Sequence, residues 1–157
     1  MRTVVWVAEG TWPSCVDAAR ALPATDLVLL HVVDLNSAQA IAGARAGLLG
    51  RALPDDPATG EALTAAQSQL LDAAQERLGR PARRVTRRGR AEREVVAACA
   101  DADLLVLARD GDHTRLGPRS LGPHTRFVLD HAPCRVLLVW PDEPPGLGTL
   151  PPPPPGR

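Results

Sequence analysis

The chain has 157 residues and a mass of 16.6 kDa, with 45% hydrophobic and 23% charged residues. This length accommodates one domain, and this composition excludes a wholly disordered or membrane-embedded chain. The 18 basic residues, all of them arginine, balance 18 acidic residues, so no bulk charge attracts nucleic acid or a membrane surface. The absence of lysine excludes Schiff-base chemistry, a lysine general base and a Walker A phosphate loop.

Unbroken apolar runs of strand length, mostly valine and leucine, recur along the chain. They cover residues 3–8, 26–33, 103–107 and 135–140. Runs of this kind predict strands that are buried on both faces, as in a parallel sheet. A fifth candidate strand, residues 82–88, is rich in arginine and suits an exposed edge of the sheet.

Helical segments separate these strands. They cover residues 13–22, 61–78 with a stop at Gly79, 91–100, and 123–132 with Pro123 in the first turn. Residues 34–60 form a long connection in which we predict some helix. The alternation of strand and helix predicts an α/β fold, a five-stranded parallel sheet with helices on both faces.

The last residues differ in composition from the rest, because half of the 16 prolines lie at or after Pro141. We predict one domain over residues 1–141 and a disordered proline-rich tail over residues 142–157. The N-terminal apolar run is too short for a signal peptide or a membrane span, which predicts a cytoplasmic protein. Three widely spaced cysteines argue against a disulfide framework and against a zinc site.

Ligands of open parallel sheets bind at the carboxyl ends of the strands, where two segments of this chain qualify. Residues 7–11 offer a carboxylate, a glycine and a hydroxyl after the first strand. Residues 108–122 combine Gly111, Gly117 and Gly122 with interspersed arginines. Backbone amides at glycines, a helix start and guanidinium groups together suit a phosphate.

Four stretches of the sequence resemble the universal stress protein family, over residues 3–141. They read VVWVAEGT, LVLLHVVD, GRAEREVVAACADADLLVLARDG and LGPHTRFVLDHAPCRVLLVW, of which HAPCRVLLV is the most specific. The resemblance implies that the parallel sheet has the strand order 3-2-1-4-5. It also implies a homodimer that forms through the last strand, residues 135–140.

Many members of that family bind ATP through a turn after the first strand and a glycine loop after the fourth, and Mg²⁺ can accompany the nucleotide. The resemblance implies that the nucleotide contacts here are Glu9, Gly10, Thr11, Val32, Val33, Ala108, Arg109, Gly111, Arg119, Gly122, Pro123, His124 and Thr125.

This chain departs from the family's phosphate loop in three ways. Ala108 replaces the first glycine, the stretch between Gly111 and Gly122 has ten residues rather than nine, and Pro123 replaces a Ser or Thr. Pro123 removes a hydroxyl and an N–H at the helix start, and Ala108 adds a Cβ where a ligand approaches. Four arginines in and after the loop offer replacement charge: Arg109, Arg115, Arg119 and Arg126.

Three functional hypotheses follow. The first is a stress-response regulator that binds an adenine nucleotide, with at most slow ATP hydrolysis, no catalytic residue and no metal site. The alternative is the same fold without nucleotide, acting only through contacts with a protein partner that the sequence does not identify. The third is a small-molecule enzyme of the same superfamily.

Several other residues have structural interpretations that we favour over functional ones. His31 follows a buried strand run and His131 ends a helix, where a cation is favourable. The stretch RRVTRRGR lacks interleaved aromatic residues, so we do not expect it to bind nucleic acid. Cys15 lies near a helix start, which suggests a lowered pKa and a redox role as a further hypothesis.

Overall fold

A computed structural model of the chain describes residues 1–35 and 57–156, with backbone only for residues 57–63. The described strands are β1 (Arg2–Trp6), β2 (Asp26–Asp34), β3 (Arg83–Gly89), β4 (Leu104–Ala108) and β5 (Arg135–Val139). They form one sheet in the order β3-β2-β1-β4-β5, and every neighbouring pair is parallel. The predicted α/β fold and its strand order are confirmed.

The described helices that connect these strands are α1 (Trp12–Arg20), α2 (Pro57–Leu78), α3 (Ala91–Ala98) and α4 (Pro123–His131). All four predicted helices are present, with ends that differ from the prediction by a few residues. Gly79 adopts a positive φ of 62° directly after α2, which confirms it as the stop. The helix predicted within the long connection falls on residues 36–56, outside the described part of the chain.

Each face of the sheet carries its own buried core. Val5, Leu29 and Val106 face the core that α1 and α2 cover. The alternate residues Val4, Leu30 and Leu105 face the core beneath α3 and α4. Because successive side chains of a strand point to opposite faces, both faces are apolar, and this explains the unbroken hydrophobic runs.

The β3 edge of the sheet is charged, as its arginines predicted. Arg83 forms an ion pair with Asp26 of the neighbouring strand at 3.0 Å, and Arg84 forms one with Asp72 of α2 at 2.6 Å. A row of charged side chains discourages pairing with a further strand. This edge therefore differs from the β5 edge, where residues 136–139 are half-buried valine and leucine.

The predicted disorder of the tail from residue 142 is not confirmed. A 3₁₀ turn spans Leu147–Thr149, and the Leu116 N–H donates to the Thr149 hydroxyl at 3.0 Å. Residues 151–156 are exposed and lie outside any helix or strand. Within the described residues, no helix is long and apolar enough to cross a membrane.

Candidate functional site

A cleft of about 470 Å³ opens at the carboxyl ends of β1, β2 and β4. The connection after β1 leads to one face of the sheet and the connection after β4 to the other, which leaves a crevice between them. Residues of α2 and the starts of α3 and α4 complete the wall. The cleft lies where the sheet topology predicted it, and its volume suits a small organic ligand.

The turn after β1 forms one side of this cleft. Glu9 and Thr11 line it. Between them, Gly10 adopts a φ of 81°, which L-residues rarely accept, so the turn requires glycine. The Ser14 hydroxyl donates to the Thr11 carbonyl at 2.9 Å and fixes the turn against α1.

The end of β2 forms the floor with His31, Val32, Val33 and Asp34. The Nδ1 atom of the buried His31 lies 2.8 Å from the Val7 carbonyl oxygen. A carbonyl only accepts, so Nδ1 carries a proton and donates. His31 therefore ties the end of β1 to β2, which supports the structural interpretation, while its ring also lines the cleft.

His124, at the start of α4, is held between two carboxylates. Its Nδ1 atom lies 2.8 Å from Glu92 Oε2, and its Nε2 atom lies 3.8 Å from Asp34 Oδ2. Burial opposes the ionisation of Glu92, but a hydrogen bond from its own backbone amide and the contact with His124 lower its pKa overall. In the described ranges, no three His, Cys, Asp or Glu side chains are grouped to hold a metal ion.

The glycine loop after β4 folds back on itself. The Gly111 N–H donates to the Ser120 carbonyl at 2.9 Å, and the Asp112 N–H donates to the Arg119 carbonyl at 2.8 Å. A Cβ on Gly111 would lie inside contact distance of these carbonyl groups. Gly111 is therefore needed for close packing within the loop and does not line the cleft.

The Asp110 carboxylate contacts the start of α4 on the side that faces the cleft. Its Oδ1 atom accepts a hydrogen bond of 2.6 Å from the N–H of Gly122, the residue that precedes the helix. A Cβ on Gly122 would lie 2.8 Å from the same oxygen, so the absence of a side chain there permits the approach. Asp110 itself lines the cleft, which brings a carboxylate to the place where a phosphate was expected.

The arginines of this region are directed elsewhere. The Arg109 guanidinium lies 4.4 Å above the Trp140 ring and donates to the Ser120 hydroxyl. Arg126 donates to the Pro118 carbonyl at 3.0 Å. Arg115 and Arg119 contribute to the low pKa of Asp112, after the larger effect of hydrogen bonds from Thr114. None of these arginines is among the described residues that line the cleft.

The structure thus gathers only part of the predicted contact set. The predicted residues that line the cleft are Glu9, Thr11, Val32, Val33, Ala108, His124 and Thr125. Those that lie outside its described lining are Gly10, Arg109, Gly111, Arg119, Gly122 and Pro123. Pro123 lines a separate groove beside Arg126 and Phe127.

Sequence reasoning missed several residues that line the cleft. They are Trp6, Ala8, His31, Asp34, Ala66, Gln67, Ala91 and Asp110. Two of them carried a usable signal, since Asp34 ends one buried strand and Asp110 follows another by two residues. Ala66 and Gln67 had no such signal, because their position depends on how α2 packs against the sheet.

The hypothesis of a reactive Cys15 is wrong. The Cys15 side chain is buried in the core between α1 and the sheet. Burial raises its pKa to about 12 and outweighs the opposite effect of a hydrogen bond with Ser14. A thiol of this kind is almost entirely protonated at neutral pH and is a poor nucleophile.

A profile of the universal stress protein family matches residues 12–139, which is most of the chain. The chain belongs to this family. No curated protein matches this universal stress protein.

Solved structures with the same fold have low sequence identity to this chain. Hypothetical protein MJ0577 is 19% identical with a TM-score of 0.62, over 88% of this chain and 95% of its own. UspA from Lactobacillus plantarum is 22% identical with a TM-score of 0.56, over 88% and 97%. A universal stress protein in complex with cAMP is 19% identical with a TM-score of 0.56, over 90% and 98%. At such low identities, these similarities show that this chain shares their fold and nothing more.

Proposed function

We propose that this universal stress protein is a stress-response regulator whose cleft binds the adenosine part of an adenine nucleotide. The observation that carries the proposal is the cleft at the carboxyl ends of β1, β2 and β4. Val32, Val33 and Ala108 give it an apolar wall, and Glu9 and Thr11 give it polar groups at one side. Mostly apolar walls with a few polar groups are typical of sites for small organic ligands.

The chemistry of the lining suits a nucleoside. The flat faces of a purine are apolar and match the valine side chains of β2. Ribose hydroxyls are hydrogen-bond donors, and Glu9 and Asp34 present carboxylate acceptors. A protein of the same family and fold in complex with cAMP gives further support to an adenine compound as the ligand.

We propose that binding serves regulation and that hydrolysis of ATP is at most slow. Arg109, in the loop after β4, is engaged in contacts within the protein, because its guanidinium donates to the Ser120 hydroxyl and lies over the Trp140 ring. A bound triphosphate would therefore lack the guanidinium groups that stabilise charge during phosphoryl transfer. A small-molecule enzyme of the same fold is the alternative that measurable turnover would favour.

Calorimetric titration with adenosine, cAMP and AMP tests the proposal, with the variant Ala66→Trp as a probe of location. Ala66 is an exposed residue of α2 whose small side chain lines the cleft, so tryptophan there fills the cleft without disturbing the core. Ala65→Trp is the matched control, because Ala65 is also exposed but is not among the lining residues.

We expect binding of at least one of these compounds, loss of about tenfold or more in affinity with Ala66→Trp, and little change with Ala65→Trp. Equal loss in both variants would place the ligand elsewhere. If none of the compounds binds at millimolar concentration, the proposal fails and the alternative remains, a family member that acts only through protein contacts.

A further inference from the structure

We infer that Asp110 fills the anion position of this cleft, and that the cleft therefore selects uncharged or singly charged adenine compounds against ATP. The inference rests on the proposed function and adds a specificity-determining residue to it.

The geometry at the start of α4 is the first support. The exposed amide groups of a helix N-terminus and the helix dipole favour an anion there. In this chain the Gly122 N–H already donates to Asp110 Oδ1 at 2.6 Å. The next residue, Pro123, has no N–H to offer. A phosphate that approached from the cleft would have to displace the Asp110 carboxylate from its partner.

The fit between Asp110 and Gly122 is close. A Cβ at position 122 would lie 2.8 Å from Oδ1 and 2.9 Å from Oδ2 of Asp110. Both carboxylate oxygens thus lie in the space that a side chain at position 122 would need. The space that Gly122 leaves for an approaching phosphate is therefore occupied by the Asp110 carboxylate.

The charges of the cleft are the second, independent support. Glu9, Asp34 and Asp110 line it. The described lining residues include no arginine, and the ring of His124 already lies between Glu92 and Asp34. A triphosphate brings several negative charges into this acidic surrounding, whereas adenosine brings none, so the electrostatic cost falls on ATP alone.

The substitution Asp110→Asn tests the inference in the full chain, by calorimetric titration with adenosine and with ATP. Asparagine has the same shape and keeps an oxygen that accepts from Gly122, but it removes the charge. Asp112→Asn is the matched control, because it removes one negative charge from the same loop at a residue outside the described lining. Circular dichroism verifies that each variant is folded, and Asp110→Ser serves as a second variant.

We expect the unmodified protein to bind adenosine at least about tenfold more tightly than ATP. Asp110→Asn should raise the affinity for ATP by about tenfold and change the affinity for adenosine by less than about twofold. Asp112→Asn should leave both affinities unchanged. Equal affinity of the unmodified protein for both ligands would overturn the inference and leave the proposed function intact. The inference would also be overturned if Asp110→Asn left the ratio of the adenosine and ATP affinities unchanged, or if Asp112→Asn shifted this ratio as much as Asp110→Asn does.

Failure of the proposed function has a different signature, because then neither adenosine nor cAMP binds any of the variants. In that case sodium tripolyphosphate is the probe, followed through the ³¹P signal and the Gly122 amide signal by nuclear magnetic resonance. Binding to Asp110→Ser but not to the unmodified protein would uphold Asp110 as the internal anion. Absence of binding to both would overturn it.

Discussion

Arg109 shows how a charged residue can stand next to a cleft without contributing to it. It follows β4 directly, yet its guanidinium stacks over Trp140 and donates to the buried Ser120 hydroxyl. That hydroxyl in turn donates to the Gly117 carbonyl at 2.7 Å. Each of these contacts holds the loop in shape, so the charge of Arg109 serves the loop's structure.

Gly111 provides a direct test of that loop packing. Alanine at position 111 would place its Cβ against the backbone of Arg119 and Ser120, and backbone cannot move aside as a flexible side chain can. We expect Gly111→Ala to lower the free energy of unfolding by about 2 kcal/mol or more. Gly148→Ala is the matched control, since a Cβ there meets nothing within 4 Å. Urea denaturation measures the free energy of unfolding of both variants, and equal stability of the two would contradict the close packing of Gly111 against Arg119 and Ser120.

The cysteines should differ in reactivity according to burial. Burial raises the pKa of Cys15 and of Cys99 to about 12, and it also raises that of Cys134, but the Cys134 side chain is partly exposed. We expect iodoacetamide at pH 8 to modify Cys134 first and to leave Cys15 unmodified in the folded protein. Mass spectrometry of peptides at successive times measures the order, with urea-unfolded protein as the control. Modification of Cys15 at the unfolded rate would refute its burial.

At the scale of elements, Arg80 joins the end of α1 to the start of β3. Its guanidinium donates to the Leu22 carbonyl at 2.7 Å and to the Ala24 carbonyl at 2.6 Å. Carbonyls beyond a helix C-terminus lack helical partners, and a cation there is favourable. A single side chain therefore anchors the whole connection between α1 and β2.

Removal of this anchor should cost more than removal of a surface ion pair. We expect Arg80→Ala to lower the free energy of unfolding by about 1 to 2 kcal/mol, because several backbone carbonyls lose their donor at once. Arg77→Ala, which breaks the half-exposed pair with Asp17, should lower the free energy of unfolding by clearly less than Arg80→Ala does, because solvent screens an exposed ion pair. Chemical denaturation measures the loss of stability in both variants. A loss in Arg77→Ala that equals or exceeds the loss in Arg80→Ala would contradict the role of Arg80.

The Asp17 and Arg77 pair, which joins α1 to α2, should give a small pH-dependent contribution. The hydrogen bond from Arg77 is the main cause that lowers the pKa of Asp17 from its ordinary value of 3.8. A carboxyl with a lowered pKa in the folded state stabilises above that ordinary value and loses its contribution as the pH falls through the folded pKa.

We therefore expect the stability difference between the unmodified protein and Asp17→Asn to be constant from neutral pH to about pH 5. Below pH 4 it should shrink. Urea titrations at each pH measure it. A difference that grows as the pH falls would show that Arg77 does not stabilise the charged form of Asp17.

At the scale of the whole molecule, the two edges of the sheet differ in a way that favours self-association through β5. Arginines occupy the β3 edge, whereas Val136, Leu137, Leu138 and Val139 are half-buried on the β5 edge. An apolar edge strand with unpaired backbone groups is a template for pairing with a second copy. The homodimer through residues 135–140 therefore remains our prediction.

Sedimentation and hydrogen exchange test the dimer together. We expect about twice the chain mass of 16.6 kDa at micromolar concentration. Amide protection of Arg135–Val139 should increase with concentration, while that of the charged β3 edge should not. A monomer at high micromolar concentration would contradict the prediction, and protection confined to β3 would place the interface at the other edge.

The order of elements and the strand interiors follow from the sequence, because they depend on local periodicity. Runs such as LVLL (residues 27–30) alternate between two apolar cores, so every residue of such a run is hydrophobic. Gly79 ends α2 because its backbone can adopt a positive φ. The turn after β1, with Glu9 and Thr11 on the cleft, was predictable for the same reason, since the end of a buried strand is visible in the sequence.

The content of the candidate site depended on contacts between distant parts of the chain. Spacing suggested that Gly111, Gly122 and the arginines form a phosphate loop, but Asp110 and Gly122 meet across 12 positions, and Arg109 and Trp140 meet across 31. Such pairings are set by how β4, β5 and α4 pack together, and no local pattern records them. The sequence alone determined the fold and the location of the cleft. Only the tertiary structure decided that a carboxylate, and no guanidinium from this loop, faces into it.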